Sequence, residues 1–107
     1  MVNKVYGLLG ISAKAGKIVC GMDAAIEEIE KHEIYLVIVA EDTSQKTIKN
    51  IKYYCDKENV EFIIFGTIFE NSKSIGKHNK AIIGVKDKNL ADAIMKEIHG
   101  GELFGEN

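Results

Sequence analysis

Lysine and glycine carry most of the chemistry this sequence offers. The stretch Lys14 to Asp23, KAGKIVCGMD, holds Lys14 and Lys17, no acid before its last residue, and glycines on either side of Ile18-Val19-Cys20. A helix that opens just after Gly21 leaves its first N–H groups unpaired, and their partial positive charge can hold an anion. A second acid-free stretch, residues 71–80, holds Lys73, Lys77 and Lys80 with His78 among them. The anion that both stretches suit is a nucleic-acid phosphate; the bland alternative for three lysines in ten residues is a solvated loop. Every strong base is Lys, so bidentate guanidinium recognition of guanine or phosphate is excluded.

Other chemistries fit less well. Gly10 to Lys17, GISAKAGK, resembles a nucleotide-binding P-loop only superficially. Its glycines are one residue too far apart, Ile18 stands where Ser or Thr must reach magnesium, and a helix precedes it. No G-x-G-x-x-G follows a strand, so a dinucleotide site lacks support. Glu41 and Asp42 end an apolar strand, a usual place for ligand-binding acids in open α/β sheets, but capping of the next helix by Asp42 or Thr43 is the simpler reading. A nucleophile–base pair would need Cys20 beside His78, whereas Cys20 reads as a core-facing strand residue. Cys20 and Cys55 make no close metal-ligand pair, and a disulfide has little support. Most of Tyr53, Tyr54, Phe62, Phe65 and Phe69 sit at core spacings, and neither lysine stretch contains an aromatic, which argues against a stacking platform.

A chain of 107 residues is long enough for one domain with a real core. The net charge of −2 argues against nucleic acid on its own, but the acids collect elsewhere, at Asp23, Glu27, Glu28, Glu30 and Glu33. Tyr35 to Ala40 is far too short to span a membrane and no secretory signal opens the chain, so the cytoplasm is expected.

Periodicity supplies the elements that must position these residues. A first helix is expected over Asn3 to Ala13 with Val5, Leu8 and Leu9 inward, its Gly7 and Gly10 marking close approach to a neighbour. The turn Lys14 to Lys17 and a short strand Ile18 to Cys20 follow. The helix Met22 to Glu33 buries Met22, Ala25, Ile26 and Ile29 and has an acidic outer face, with His32 solvated near its end. Tyr35 to Ala40 reads as a central strand, and Gln45 to Glu58 as a helix burying Ile48, Ile51 and Cys55 and ending at a left-handed Asn59. A strand Val60 to Phe65, a short helix Thr67 to Lys73, a polar loop Ser74 to Lys80 and a strand Ala81 to Val85 come next. Asp87 or Asn89 caps a last helix through Ile98. The fold class is α/β: a three-layer α-β-α sandwich with a mixed sheet of about four strands. Residues 1–98 form the single domain and 99–107 a flexible tail in which Leu103 and Phe104 could dock.

GLLGISAKAGKIVCG, the strand ending AEDTS and the later SIGKHNKAIIGV together resemble the L-seven-Ae/L-thirty-e superfamily of ribosomal proteins, in its small bacterial YlxQ-like branch. The resemblance runs from about Tyr6 to the last helix and implies the same α-β-α sandwich. It also implies binding of kink-turn RNA, a sharply bent helix–bulge–helix. The second helix and its preceding turn supply one part of such a site, here Lys14, Lys17, Gly21, Met22, Asp23 and Ala24. The loop before the last strand supplies the other, here Ile75, Gly76, Lys77, His78, Asn79 and Lys80. Bulges suit such readout because unstacked bases present edges that an A-form groove hides. Many kink-turn binders have Asn then Glu or Arg where this chain has Asp23 and Ala24, and Leu-Gly where it has Asn71-Ser72.

The resulting expectation is a non-catalytic monomer, without cofactor, that binds ribosomal or other structured RNA, with ribosomal or translation proteins as further partners. The lysines would hold phosphates, the Gly21–Met22 amides a phosphate or base edge, and His78 and Asn79 the bulged nucleotides. The competing expectation is a protein-interaction module on the same fold, docking a basic partner on Glu27, Glu28 and Glu30.

Overall fold

The structure is a computed structural model that describes residues 3–100. Five helices and four strands alternate among them: α1 (Lys4–Lys14), β1 (Ile18–Cys20), α2 (Met22–Glu30), β2 (Leu36–Val39), α3 (Gln45–Glu58), β3 (Glu61–Ile64), α4 (Ile68–Ser74), β4 (Ile82–Val85) and α5 (Lys88–Ile98). The strands lie in the order β1-β4-β2-β3. β4 runs antiparallel to both β1 and β2, and β2 runs parallel to β3, so the sheet is mixed as expected.

Two-residue alternation along β2 divides the interior. Leu36 and Ile38 face one core with Val5 and Leu9 of α1 and Ala91 and Ile94 of α5. Val37 and Val39 face the other, with Ala25 and Ile29 of α2 and Ile48, Ile51 and Cys55 of α3. Helices α1, α4 and α5 thus cover one side of the sheet and α2 and α3 the other, which buries β2 completely. Gly84, in the middle of β4, lets this packing close. A methyl group there would collide with Ile34 Cδ1 and lie 3.0 Å from Val19 Cγ2. Cys20 packs on one core and Cys55 in the other, so the sheet separates the two thiols and no bond can join them.

Several local expectations change. Neither Asp42 nor Thr43 caps α3; Ser44, the residue just before it, accepts from Thr47 N at 3.2 Å. Asp42 instead reaches across the fold and accepts from Ile68 N at 2.9 Å, tying the end of β2 to the start of α4. Asp87 is the cap of α5, accepting from Leu90 N at 2.9 Å. Helix α2 stops at Glu30, short of Glu33, because His32 takes a left-handed conformation at φ 60° and turns the chain toward β2. A methyl group at Gly10 would stand 3.2 Å from Ser74 O, where α1 meets α4, whereas Gly7 faces open space. The expected tail, with Leu103 and Phe104, lies from residue 101 onward outside the described residues.

Candidate nucleic-acid interface

Strand β1 is too short to do more than deliver the chain from one turn to another, and its antiparallel register with β4 decides what meets at each end. Cys20 pairs with Ile83, so Gly21 falls opposite Ile82, and Gly21 N donates to Ile82 O at 3.0 Å. Gly21 has φ 92° and ψ 163°, a conformation essentially reserved for glycine. The sharp exit it permits leaves the N-terminus of α2 with no side-chain cap. The first bond of the helix is Ala25 N to Gly21 O at 3.1 Å, so the amides of Met22, Asp23 and Ala24 precede the helical ladder.

Beside this open helix end lies the segment that leads into β4. Burial pushes the Cys20 thiol up from its ordinary value, and the Lys80 and Lys77 ammonium groups pull it partly back, so both charges are felt at the end of β1. Backbone bonds from Ile75 N, Gly76 N and Lys77 N to α4 hold the start of residues 75–80, and one buried hydroxyl holds their end. Ser72 Oγ accepts from Lys80 N at 2.7 Å and donates to Lys80 O at 3.3 Å, while Lys77 N donates to Ser72 O at 2.9 Å. The sequence marks Ser72 only as a departure from Leu-Gly; the fold uses its side chain to pin the loop. Gly76, Lys77, His78 and Asn79 are exposed and Lys80 is half-buried. Ile75 differs from the expectation of a contact residue: only 6 % exposed, its side chain packs in the core with Val5 and Leu9 and supports the loop from beneath.

The lysine-bearing turns do not both meet around Gly21. Lys86 N donates to Lys17 O at 2.7 Å, which fixes Lys17 at the far end of the β1–β4 ribbon. The three residues of β1 separate it from Gly21, four steps and about 13 Å in all at ~3.3 Å per residue. Lys14 closes α1 on that same far side, and Lys86 there pairs with Glu28 at 3.4 Å. Charge counting along the chain cannot see this, because a strand carries its two ends apart. On α2 Asp23 is exposed and Glu27 pairs with Lys31 at 3.5 Å.

The sequence reading also misses Phe69. Residues 71–80 contain no aromatic, yet Phe69 sits one helical turn before Lys73, is 68 % exposed, and has the Lys73 ammonium 5.9 Å from its ring centroid. It lines a groove of about 400 Å³ with Ser72, Lys73, Gly76, Lys77, His78 and Asn79. The i, i+4 spacing of Phe69 and Lys73 is the signal that could have found it. Tyr53 is likewise exposed, while Tyr54, Phe62 and Phe65 pack against the cores as expected. Burial raises the Cys20 thiol above its ordinary value, which works against a nucleophilic role. No helix among the described residues is long and apolar enough to cross a membrane.

Comparison with known proteins agrees with this architecture. The chain is 30% identical over 90 residues to the RNA-binding protein YlxQ of Bacillus subtilis (strain 168), covering 84% of this chain and 90% of that one. It is 29% identical over 98 residues to the RNA-binding protein YlxQ of Enterococcus faecium, covering 92% and 94%. Among solved structures, a Bacillus halodurans C protein of unknown function superposes with TM-score 0.88 at 26% identity, over 91% of this chain and 98% of the other. The Giardia lamblia 15.5kD RNA binding protein superposes with TM-score 0.78 at 14% identity, over 94% and 86%, a likeness of fold alone. The sequence profile of the ribosomal protein L7Ae/L30e/S12e/Gadd45 family matches residues 3–80, and the chain belongs to that family, in its YlxQ-like branch.

Proposed function

We propose that this chain is a non-catalytic RNA-binding protein that grips structured, kink-turn-like RNA between the open N-terminus of α2 and the loop 75–80. The observation that supports the reading is the register of β1 on β4: Gly21 N donates to Ile82 O, so the uncapped amides that follow Gly21 stand at the end of the ribbon where the loop carrying Lys77, His78, Asn79 and Lys80 enters β4. Amide donors at a helix end and flexible ammonium groups together suit phosphate, and His78 and Asn79 offer hydrogen bonds to base edges. The RNA-binding names of the two YlxQ relatives point the same way. In this reading the protein works as a cytoplasmic monomer on ribosomal or other structured RNA, in company with ribosomal or translation proteins.

Asp23 sets the preference. Its carboxylate accepts but cannot donate to a base edge and repels a phosphate placed against it, so recognition shifts toward the loop side. The protein-docking alternative has less support, because Glu28 of its acidic face is largely covered and paired with Lys86 at 3.4 Å, which leaves Glu27 and Glu30 to meet a basic partner. Filter binding of a kink-turn RNA and a straight duplex across a salt series tests the function. Two phosphates held by Lys77 and Lys80 give a slope of log affinity against log salt near about −2, and about −3 to −4 if Lys14 and Lys17 also engage. Kink-turn RNA should win. A response flat in salt sinks the reading.

A further inference from the structure

We infer that Phe69, with Lys73 and His78, forms a stacking subsite for an unpaired nucleobase in the groove between α4 and loop 75–80. This rests on the RNA-binding reading and extends it to a residue which that reading does not use. Three observations converge on it. A large aromatic on a helix normally seeks the core, yet Phe69 is 68 % exposed while Ile75, on the same segment, is buried. The groove beside the ring, about 400 Å³, has ample room for one flat base, and its lining contains two lysines and a histidine but no acid. Glu70, the nearest acid along the helix, lines a neighbouring hollow with Tyr6, Lys73 and Ser74 and not this groove, the two sharing Lys73.

The chemistry of that lining selects the occupant. A flat aromatic face that is open on one side accepts another π system, and any base has such a face. Lys73 and Lys77 line the groove and would hold the phosphate attached to the stacked nucleotide, the Lys73 ammonium moving to it from its place over the Phe69 ring, 5.9 Å from the centroid, as the base takes that face. An apolar peptide side chain would fill the same space but gain nothing from the cationic rim; a nucleotide uses both. The groove is also fixed in advance. Ser72, part of its lining, ties Lys80 and Lys77 to α4 through three hydrogen bonds, so little ordering cost remains when the base arrives.

The chain has no Trp, so Phe69→Trp introduces the only indole and makes the groove its own reporter. The probes are a kink-turn RNA with unpaired nucleotides next to its stem, the same RNA trimmed of them, and poly-glutamate. The overhanging RNA should quench the Phe69→Trp fluorescence, the trimmed RNA should do so weakly, and poly-glutamate should not. Phe69→Ala should weaken the overhanging RNA roughly tenfold and leave the trimmed RNA within about twofold. Phe69→Tyr should retain the preference. If Phe69→Ala binds both RNAs like the unmodified chain, the subsite is wrong while RNA binding stands. If the unmodified chain binds neither RNA, both readings fall. Quenching by poly-glutamate as strong as that by RNA would assign the groove to an acidic protein and overturn the proposal.

Discussion

Lys14 and Lys17 belong to a turn whose hydrogen bonds are all between backbone groups: Ala15 N to Ile11 O, Gly16 N to Ala13 O and Lys17 N to Ser12 O. Lys77 and Lys80 belong to a loop held by a buried side chain, floored by Ile75, flanked by Phe69 and set against an uncapped helix. Along the chain the two stretches look alike, each basic and free of acid. In space one is a solvated turn beside the Lys86–Glu28 pair, and the other combines an uncapped helix end, a groove and a hydrogen-bonded loop, the features on which the proposed site rests. Local charge is therefore a weak guide to an anion site. What discriminates is whether fixed dipoles and a shaped wall converge on the same place.

The largest expected effect tests that difference directly. Replacing Lys77 and Lys80 together by Ala should weaken RNA on the order of a hundredfold, since each charge-assisted contact is worth about 1.5 kcal/mol or more. Replacing Lys14 and Lys17 together should cost less than about threefold, as for rim charges. Filter binding at fixed salt reads both. Equal losses would mean that a longer RNA path spans the whole β1–β4 ribbon and that the contrast is false.

Gly21→Ala comes next. Forcing a side chain into its backbone conformation should cost about 1–3 kcal/mol in urea unfolding. RNA affinity should fall further than stability alone explains, because the helix end must re-aim. A loss of stability with unchanged affinity would detach the α2 amides from the site.

Ser72→Ala follows, at about 1–2 kcal/mol, because Lys80 N loses its acceptor in a half-buried place. Hydrogen exchange of the Lys80 amide should speed up with it. The matched change on the other side is Ser12→Ala, in the last turns of α1. Ser12 Oγ only donates back to Leu8 O at 2.8 Å, so its removal orphans no donor and should cost under about 1 kcal/mol.

These contrasts also mark how far the sequence could be read. Helix α3 falls within Gln45–Glu58 as expected, because three inward positions and a left-handed Asn59 after the last turn agree, even though its cap is Ser44 and not Asp42 or Thr43. The order of elements and the two-faced strand β2 were legible for the same reason: periodicity is local. What stayed hidden is what pairing creates. Asp42 and Ile68 are 26 residues apart, and no local rule links them. The separation of Lys17 from Gly21 follows from strand geometry once β1 is recognised, but which of them faces loop 75–80 follows only from the antiparallel register with β4. Ile75 lay inside a stretch that looked wholly exposed, and Phe69 in a helix where aromatics usually turn inward. Each was misassigned because burial is decided by a neighbour outside the stretch.

The smallest effect uses the two cysteines as rulers for the same comparison. Burial lifts the Cys55 thiol from an ordinary value of 9.0 to about 12. The raised folded value means that stability is fully present below the unfolded pKa and drains away as pH climbs from 9.0 toward about 12. Cys55→Ala should flatten that alkaline decline, and native Cys55 should resist alkylation until the chain unfolds. Cys20 is raised as well, but Lys80 and Lys77 oppose the shift. Removing those two charges lets its pKa climb further, lowers the thiolate fraction, and should slow alkylation a few-fold at about pH 8. Removing Lys14 and Lys17 should leave the rate unchanged, since they stand beyond the other end of β1. If the two double variants slowed Cys20 equally, both turns would be feeling the same thiol, and the distance drawn between them along the strand would be wrong.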